Sequence, residues 1–360
     1  MLYCRFLKFV KYSFWILFIF FIVSSCSPNR EEESLVNQRL DSLFVSWKEV
    51  GRFNGNVLIE LPDTTITKVM GVSRHNTGML LNDTDAFYIG SLAKQFTAMA
   101  ILISVENNKL SLDDTLGIYF PDLPDFTHAI TIRQMLNHTS GLPDYYNLGV
   151  FESGFTNTKV IDAMKNIDNL DFPSGSKYSY SNSAYVLLSV IVEKVSGFSF
   201  KDFLSENIFN PLKMVNTMVY DTTRPRLPPR ALGHYPGGTV HDYNAFTTGG
   251  GGIFSNIYDL QKWVHALDSG LFIKESLYEQ MYLPAQLTDG SLSYYGFGWM
   301  LNEENEDILK HSGSLAGFRS YLYRNREKGI TIVTLSNFTD DVETLNNEIL
   351  HVLANYESPL

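Results

Sequence analysis

Cysteine is almost missing from this chain: there are two among 360 residues, Cys4 and Cys26. Past Cys26 the sequence has no thiol, so no disulfide can staple it and no thiol chemistry is available. Basic residues are also scarce, 28 against 39 acidic ones. Three of the 28 (Arg5, Lys8 and Lys11) lie in the first 26 residues, which leaves 25 against 39 beyond them, a net charge of −14. Such a surface excludes nucleic acid as an expected partner. The eight histidines show no paired ligand spacing, and neither His138 nor His311 has a His or Cys nearby in sequence, so no metal site is expected. The glycine run Gly249 to Gly252 is not followed by a Lys-Ser/Thr pair and reads as a turn or a close backbone approach, not a phosphate loop. No cofactor is expected, and there is no internal repeat or low-complexity tract. What remains is globular in character, 44% hydrophobic and 19% charged, and long enough to bury a large core in one domain or two lobes.

The one long apolar run, Phe14 to Val23, has ten residues and follows a basic start. It is short for a membrane span and suits the core of an export signal. It ends Val23-Ser24-Ser25-Cys26, and small residues before a Cys resemble the processing site of bacterial lipoproteins, where cleavage precedes the Cys and lipid is attached to it. The expectation is a signal peptide over 1–25, a lipidated Cys26 and a polar linker over 26–33. The mature protein would then be held in the bacterial cell envelope by its lipid, on the periplasmic side or at the surface. An uncleaved anchor is the alternative, and it also tethers the chain outside the inner membrane. Oligomeric state is not legible.

From Ser34 the apolar positions Val36, Leu40, Leu43, Phe44, Trp47 and Val50 have helical period, and Gly51 stops them. Asn56 to Leu61 reads as a strand, Pro62-Asp63 as a turn and Thr64 to Gly71 as the return strand. Leu110 to Leu116 reads as an exposed turn. Short helices are expected over Ile132 to Asn137, Ser183 to Val195 and Phe200 to Phe209, and a further one over Asn256 to Leu267. The end is strand-rich: Tyr295 to Leu301, Ser314 to Arg324 and Ile330 to Leu335, closed by an amphipathic helix through Val342, Leu345, Ile349 and Leu353. This pattern predicts an α/β (α+β) domain over 34–360, with an antiparallel sheet flanked by N- and C-terminal helices and a helical lobe inserted at roughly 110–250.

Chemistry concentrates at Gly90-Ser91-Leu92-Ala93-Lys94. Leu92 to Val105 is apolar nearly all round, which marks a buried helix. Ser91 stands at its mouth with Lys94 one turn on, on the same face. Burial costs a lysine its charge and moves it towards a useful base. Ser-x-x-Lys recurs at Ser174 to Lys177, and Ser91 could instead be a helix cap. Two further motifs stand later in the chain: Tyr180-Ser181-Asn182 on a loop entering a helix, and His311-Ser312-Gly313 entering a strand.

These three motifs, in this order, resemble those of the serine β-lactamase and penicillin-binding-protein superfamily, in particular its class C-like branch. That branch includes esterases, D-amino-acid peptidases and carboxypeptidases. Leu136 to Tyr145, Gly250 to Leu260 and Tyr295 to Trp299 add to the likeness, which runs from about Ser34 to Leu350. It implies a β-lactamase/transpeptidase-like fold and a serine hydrolase that forms an acyl-enzyme at Ser91. Lys94 and Tyr180 are then the candidates for base, with Tyr180 favoured as a phenolate or proton relay whose pKa Lys94 lowers. Asn182 is implied to bond the substrate amide or hold Lys94. The N–H groups of Ser91 and Ser314 would form the oxyanion hole, and Gly313 would let substrate lie against the strand edge.

Where relatives often carry Lys-Thr-Gly, this chain has His311. Histidine is mostly neutral at pH 7, which favours esters, amides or D-amino-acid peptides over β-lactams and C-terminal carboxylates. Arg319 or Arg324 could replace the missing charge. The expected partner is thus a small-molecule or peptide substrate. Two other readings stand beside hydrolysis: a slow or non-hydrolytic lipoprotein that senses cell-wall fragments or β-lactams, and an acyltransferase.

Overall fold

The computed structural model describes residues 28–243 and 245–354. The apolar run and Cys26, expected to export and anchor the chain, lie outside them. Among the described residues no single helix is long and apolar enough to cross a membrane.

Helix α1 (Pro28–Glu49) leads into the hairpin β1 (Gly55–Leu61) and β2 (Thr64–Met70), then the short strands β3 (Val72–Arg74), β4 (Met79–Leu80) and β5 (Phe87–Tyr88). Helix α2 (Ala93–Glu106) follows a single 3-10 turn at Gly90–Leu92. Five helices come next: α3 (Leu116–Tyr119), α4 (Ile132–Leu136), α5 (Asn157–Met164), α6 (Asn182–Ser196) and α7 (Phe200–Leu204). The chain then returns through β6 (Met218–Val219), β7 (Ile253–Ser255), α8 (Ile257–Asp268) and α9 (Glu275–Met281). It ends with β8 (Ala285–Gln286), β9 (Leu292–Ser293), β10 (Met300–Leu301), β11 (Ile308–Leu315), β12 (Phe318–Asn325), β13 (Ile330–Ser336) and α10 (Val342–Leu353).

The main sheet has six strands in the order β10-β11-β12-β13-β1-β2, antiparallel throughout. First and last parts of the chain therefore meet at its centre, where Val57 lies opposite Thr334. Period-two alternation divides the sheet's residues between two cores. Val57, Ile59, Tyr321, Tyr323 and Ile332 face α1 and α10, meeting Leu40, Phe44, Trp47, Leu345 and Ile349. Leu58, Leu322, Val333 and Leu335 face the other way, into the larger core with α2, α6 and α8. The two end helices thus cover one face of the sheet, as the periodicity predicts. Their contact is tied by Trp47, buried and donating from Nε1 to Glu348 Oε2 at 2.7 Å.

Several boundaries differ from the sequence reading. The stretch Tyr295 to Leu301 is not one strand: Tyr295 bridges back to Met300, Gly296 N–H donates to Trp299 at 2.9 Å and Gly298 turns with φ +79°. Ser314 does not open a strand but lies near the end of β11, and the chain reverses at Ala316-Gly317 with Ala316 at φ +49°. The helix at Phe200 passes into a wider π-type turn at Ser205–Phe209. Leu110, Leu112 and Leu116 turn inward and are buried, so that turn is exposed only at its polar positions. Helical structure between the lobes ends by Phe209, and most of 210–252 is irregular chain packed back against the sheet lobe.

Trp47→Ala is expected to cost about 3–5 kcal/mol, the usual price for deleting a buried tryptophan. Urea unfolding would read this as a lower midpoint with little change in slope.

Candidate active site

Ser91 lies inside the 3-10 turn, and no side chain caps α2, whose preceding residue is Leu92. The serine is therefore not spent as a helix cap. Lys94, one turn into α2, is fully buried. Its Nζ is 3.2 Å from Ser91 Oγ, 2.7 Å from Asn182 Oδ1 and 2.8 Å from the Gly250 carbonyl. A neutral amine has two N–H donors and one lone pair. With the donors on Asn182 and Gly250, the lone pair is left for the Ser91 hydroxyl. Burial lowers the Lys94 pKa to about 7, and Asp144 acts weakly against it.

The glycine run brings the Gly250 carbonyl to that amine. A Cβ on Gly249 would stand 2.1 Å from the Tyr185 carbonyl oxygen, and one on Gly251 would stand 2.3 Å from the Tyr88 hydroxyl. Only glycine lets this segment lie flat against α6 and β5. Thr97 Oγ1 donates to Gly249 O at 2.7 Å and holds the run against α2.

Ser181 caps α6, its side chain accepting from Ala184 N–H, so Tyr180 and Asn182 flank the cap. Asn182 is oriented by Asp144, whose Oδ2 accepts from its backbone N–H at 2.7 Å and its Nδ2 at 2.9 Å. That leaves Asn182 Oδ1 facing Lys94. Asp144 was not singled out in the sequence; the available signal was its place within Leu136 to Tyr145, a segment that adds to the family likeness.

The structure corrects one expectation about Tyr180. Burial drives its phenol well above the ordinary value, and the neighbouring Ser91 hydroxyl, which acts the other way, is outweighed. Lys94 Nζ sits over the face of the ring, 4.7 Å from its centroid. Tyr180 is thus a neutral phenol in the resting site, and its Oη is buried without a hydrogen-bond partner.

Opposite Ser91 runs β11. A Cβ on Gly313 would meet Ile89 O at 2.2 Å and Ser91 N at 2.9 Å, and one on Gly90, at φ +54°, would meet Ser314 N at 2.5 Å. Two glycines therefore press the Ser91 turn onto the strand and bring the Ser91 and Ser314 amides to one place. Ser320 Oγ, donating to Ile89 O at 2.7 Å, locks the contact.

His311 does not reach the cleft. It is buried, its Nδ1 is 2.7 Å from Ser312 O and its Nε2 is 2.8 Å from the Tyr295 hydroxyl. Nδ1–H donates to the carbonyl, and Tyr295 O–H donates to Nε2. Burial, with Lys94 nearby, lowers its pKa to about 3. In this structure the side chain packs behind Ser91 as a neutral ring, bonded to Tyr295 and Ser312.

The cleft in front of Ser91 holds about 590 Å³ and is lined also by Asn182, Ser314, Tyr146, Phe151, Glu152 and Arg319. Glu152 is paired with Lys159. Arg319 Nη1 donates to Phe318 O at 2.7 Å and Ala316 O at 3.2 Å, and no ion pair joins it to a carboxylate among the described residues. Arg324 is elsewhere, buried and paired with Asp268. Of the two arginines, only Arg319 offers a charge to the cleft.

The model of one family, described as Beta-lactamase, matches residues 55–355. The chain is 33% identical over 336 residues to penicillin-binding protein 4* of Bacillus subtilis (strain 168), covering 85% of this chain and 73% of that protein. It is 28% identical over 275 residues to a D-aminopeptidase of Brucella anthropi, covering 73% of this chain and 52% of the relative. It thus spans about half the length of that D-aminopeptidase. Among solved structures, D-amino acid amidase from Ochrobactrum anthropi SV3 has the same fold, with a TM-score of 0.77 at 24% identity over 90% of this chain and 99% of that one.

If Lys94 must be neutral to accept a proton from Ser91, modification of Ser91 will be slow below pH 6, where the amine is protonated. It will rise as the proton leaves, with a midpoint near the Lys94 value of about 7. Rates of fluorophosphonate labelling from pH 5 to 9 would show it; a flat profile would assign the base elsewhere.

Proposed function

The chain belongs to the β-lactamase family and is a serine hydrolase of that fold; we propose that it works through a covalent acyl-enzyme at Ser91, on amides, esters or peptides of D-amino acids. The observation that carries this reading is the buried Lys94 amine, its pKa lowered to about 7, bonded to Asn182 Oδ1 and Gly250 O and 3.2 Å from Ser91 Oγ.

In acylation the Ser91 proton passes to Lys94 as Oγ bonds to the substrate carbonyl carbon. The resulting oxyanion lies between the Ser91 and Ser314 amides. Collapse breaks the bond to the leaving nitrogen or oxygen. Tyr180 O–H gives that atom a proton and is reprotonated from the Lys94 ammonium, which restores the amine. Water then repeats the cycle on the ester and releases the acid. A neutral phenol suits this use of Tyr180 better than a phenolate, since it already holds the proton to be given.

On the substrate side, Tyr146 and Phe151, with ring centroids 4.7 Å apart, offer an aromatic wall on one side of the cleft. Arg319 supplies the positive charge that His311 cannot, and would hold an anionic group of the substrate. Similarity to a D-aminopeptidase and a penicillin-binding protein supports substrates built on D-amino acids. The lipid anchor at Cys26 and a place in the cell envelope remain part of this proposal, since the residues concerned lie outside those described. A sensor that binds such fragments without turnover is the rival.

The primary test is intact-protein mass after exposure of residues 27–360 to a fluorophosphonate, beside Ser91→Ala. One adduct on the native chain and none on the variant is expected; a folded native chain that takes none would favour the sensor. For specificity, Arg319→Ala should raise KM about tenfold or more for a D-amino-acid dipeptide with a free carboxylate, in line with the loss of a charge-assisted bond. The same peptide as its amide should be little affected, and equal effects on both would remove Arg319 from recognition.

A further inference from the structure

Among the described residues the Tyr180 hydroxyl has no hydrogen bond of good geometry, and the Ser91 hydroxyl beside it is too weak a contact to fix the ring by itself. A buried hydroxyl left unpaired is costly, and a tyrosine free to turn would move to satisfy it. Something else must hold it.

His138 holds Tyr180 and the residues on either side of it. Its carbonyl accepts from Ser179 N–H at 2.9 Å. Its Nδ1 accepts from Ser181 N–H at 3.1 Å. Its ring lies against the Tyr180 ring, with centroids 4.2 Å apart and planes inclined by 37°. Both residues that flank Tyr180 and the ring itself are therefore fastened to one histidine. That histidine is fully buried and backed by Tyr295, at 4.5 Å between centroids, and Tyr185, at 5.0 Å. Its backbone is left-handed, φ +60°, a conformation that costs an L-residue energy and persists where the surroundings over-determine it.

We propose that His138 is a positioning residue for the Ser91 reaction, which holds the unpaired Tyr180 hydroxyl at the nucleophile through its Nδ1 acceptor and its ring. The inference rests on the hydrolase reading above. The acceptor role requires a neutral imidazole with its proton on Nε2, since a protonated Nδ1 would point its own hydrogen at Ser181 N–H. The groups around the ring keep it neutral: burial, Lys94 and His311 all act against protonation. Lysine cannot serve here, and an apolar ring would lack the acceptor. Asparagine comes nearest, because its Oδ1 takes the place of Nδ1 and it tolerates the left-handed backbone. Glutamine moves the acceptor one bond too far.

The test compares hydrolysis rates of a D-alanine anilide, whose leaving nitrogen must be protonated, for His138→Asn and His138→Gln, each made in the native chain and in Tyr180→Phe, with fluorophosphonate labelling to confirm an intact Ser91 and thermal unfolding to confirm folding. In the native chain the Gln variant should hydrolyse the anilide about tenfold or more slowly, a part of the ~10²–10⁴-fold that a positioned proton-transfer group supplies. The Asn variant, which restores the acceptor but not the ring, should fall between the Gln variant and the native chain. In Tyr180→Phe the same substitutions should change the rate less than about twofold, because there is no hydroxyl left to position.

Equal slowing in both backgrounds would overturn the proposal and leave His138 as packing alone. So would a Tyr180→Phe chain that hydrolyses the anilide at the native rate. If only the Asn variant folds, its cycle with Tyr180→Phe decides: a loss confined to the chain with Tyr180 supports positioning, and an equal loss in both refutes it. A native chain that takes no label at all would fail the hydrolase reading itself, a result distinct from any difference among the variants.

Discussion

The cleft depends on one primary amine kept out of water. An exposed lysine is charged at neutral pH and has no lone pair to offer; burial of Lys94 removes that preference. Burial alone would leave an unsatisfied donor, so the surroundings supply two acceptors, Asn182 Oδ1 and Gly250 O. Much of the nearby structure serves those two contacts. Asp144 turns the Asn182 amide so that its oxygen faces the amine. The glycine run lets an irregular segment approach close enough for a carbonyl to reach it. A substituent on either side would displace an acceptor and return the amine towards a strained, partly solvated cation.

Around this amine the site keeps polar groups poised by neutral rings instead of by charge. His311 accepts from Tyr295 behind the cleft, and His138 accepts from the amide next to Tyr180. Two charges here would compete with Lys94 for whatever polarity the pocket has and would raise the cost of burying all three. The Tyr180 hydroxyl and His138 Nε2 remain unpaired. Unsatisfied buried groups are rare in folded proteins and collect where function requires them. Others lie at Asn56, Tyr282 and Arg324 among further places, and these two stand out by sharing one aromatic cluster beside Ser91.

The fold supplies the meeting place. Ser91 enters α2 from the sheet lobe, Tyr180 and Asn182 head α6 in the helical part, and Ser314 ends a strand of the main sheet. These elements are far apart in the chain, and the close approach of Gly90 to β11 joins the first to the last. Family membership accounts for this arrangement as a whole, while Arg319 and the paired Glu152 give the cleft its individual charge pattern.

Regular elements were largely legible. The hairpin at Asn56 to Gly71, the buried helix after Ser91, the helix from Ser183 and the closing helix at Val342 declare themselves, because each hides one face or all faces in a periodic way. Boundaries at tight reversals were not: one Ala-Gly pair at Ala316-Gly317, with Ala316 at φ +49°, is too slight a signal to separate two strands, so the sequence places Ser314 on the wrong one. The sequence by itself singled out Ser91, Lys94 and Tyr180 as candidates, by motif order and residue type. Only the tertiary structure decided how they are charged and what they face. It placed His311 behind the site, Arg319 in front of it and Asp144 against Asn182, and made the phenol neutral and the amine basic. Those properties depend on burial and on partners distant in the chain, and neither is a property of local sequence.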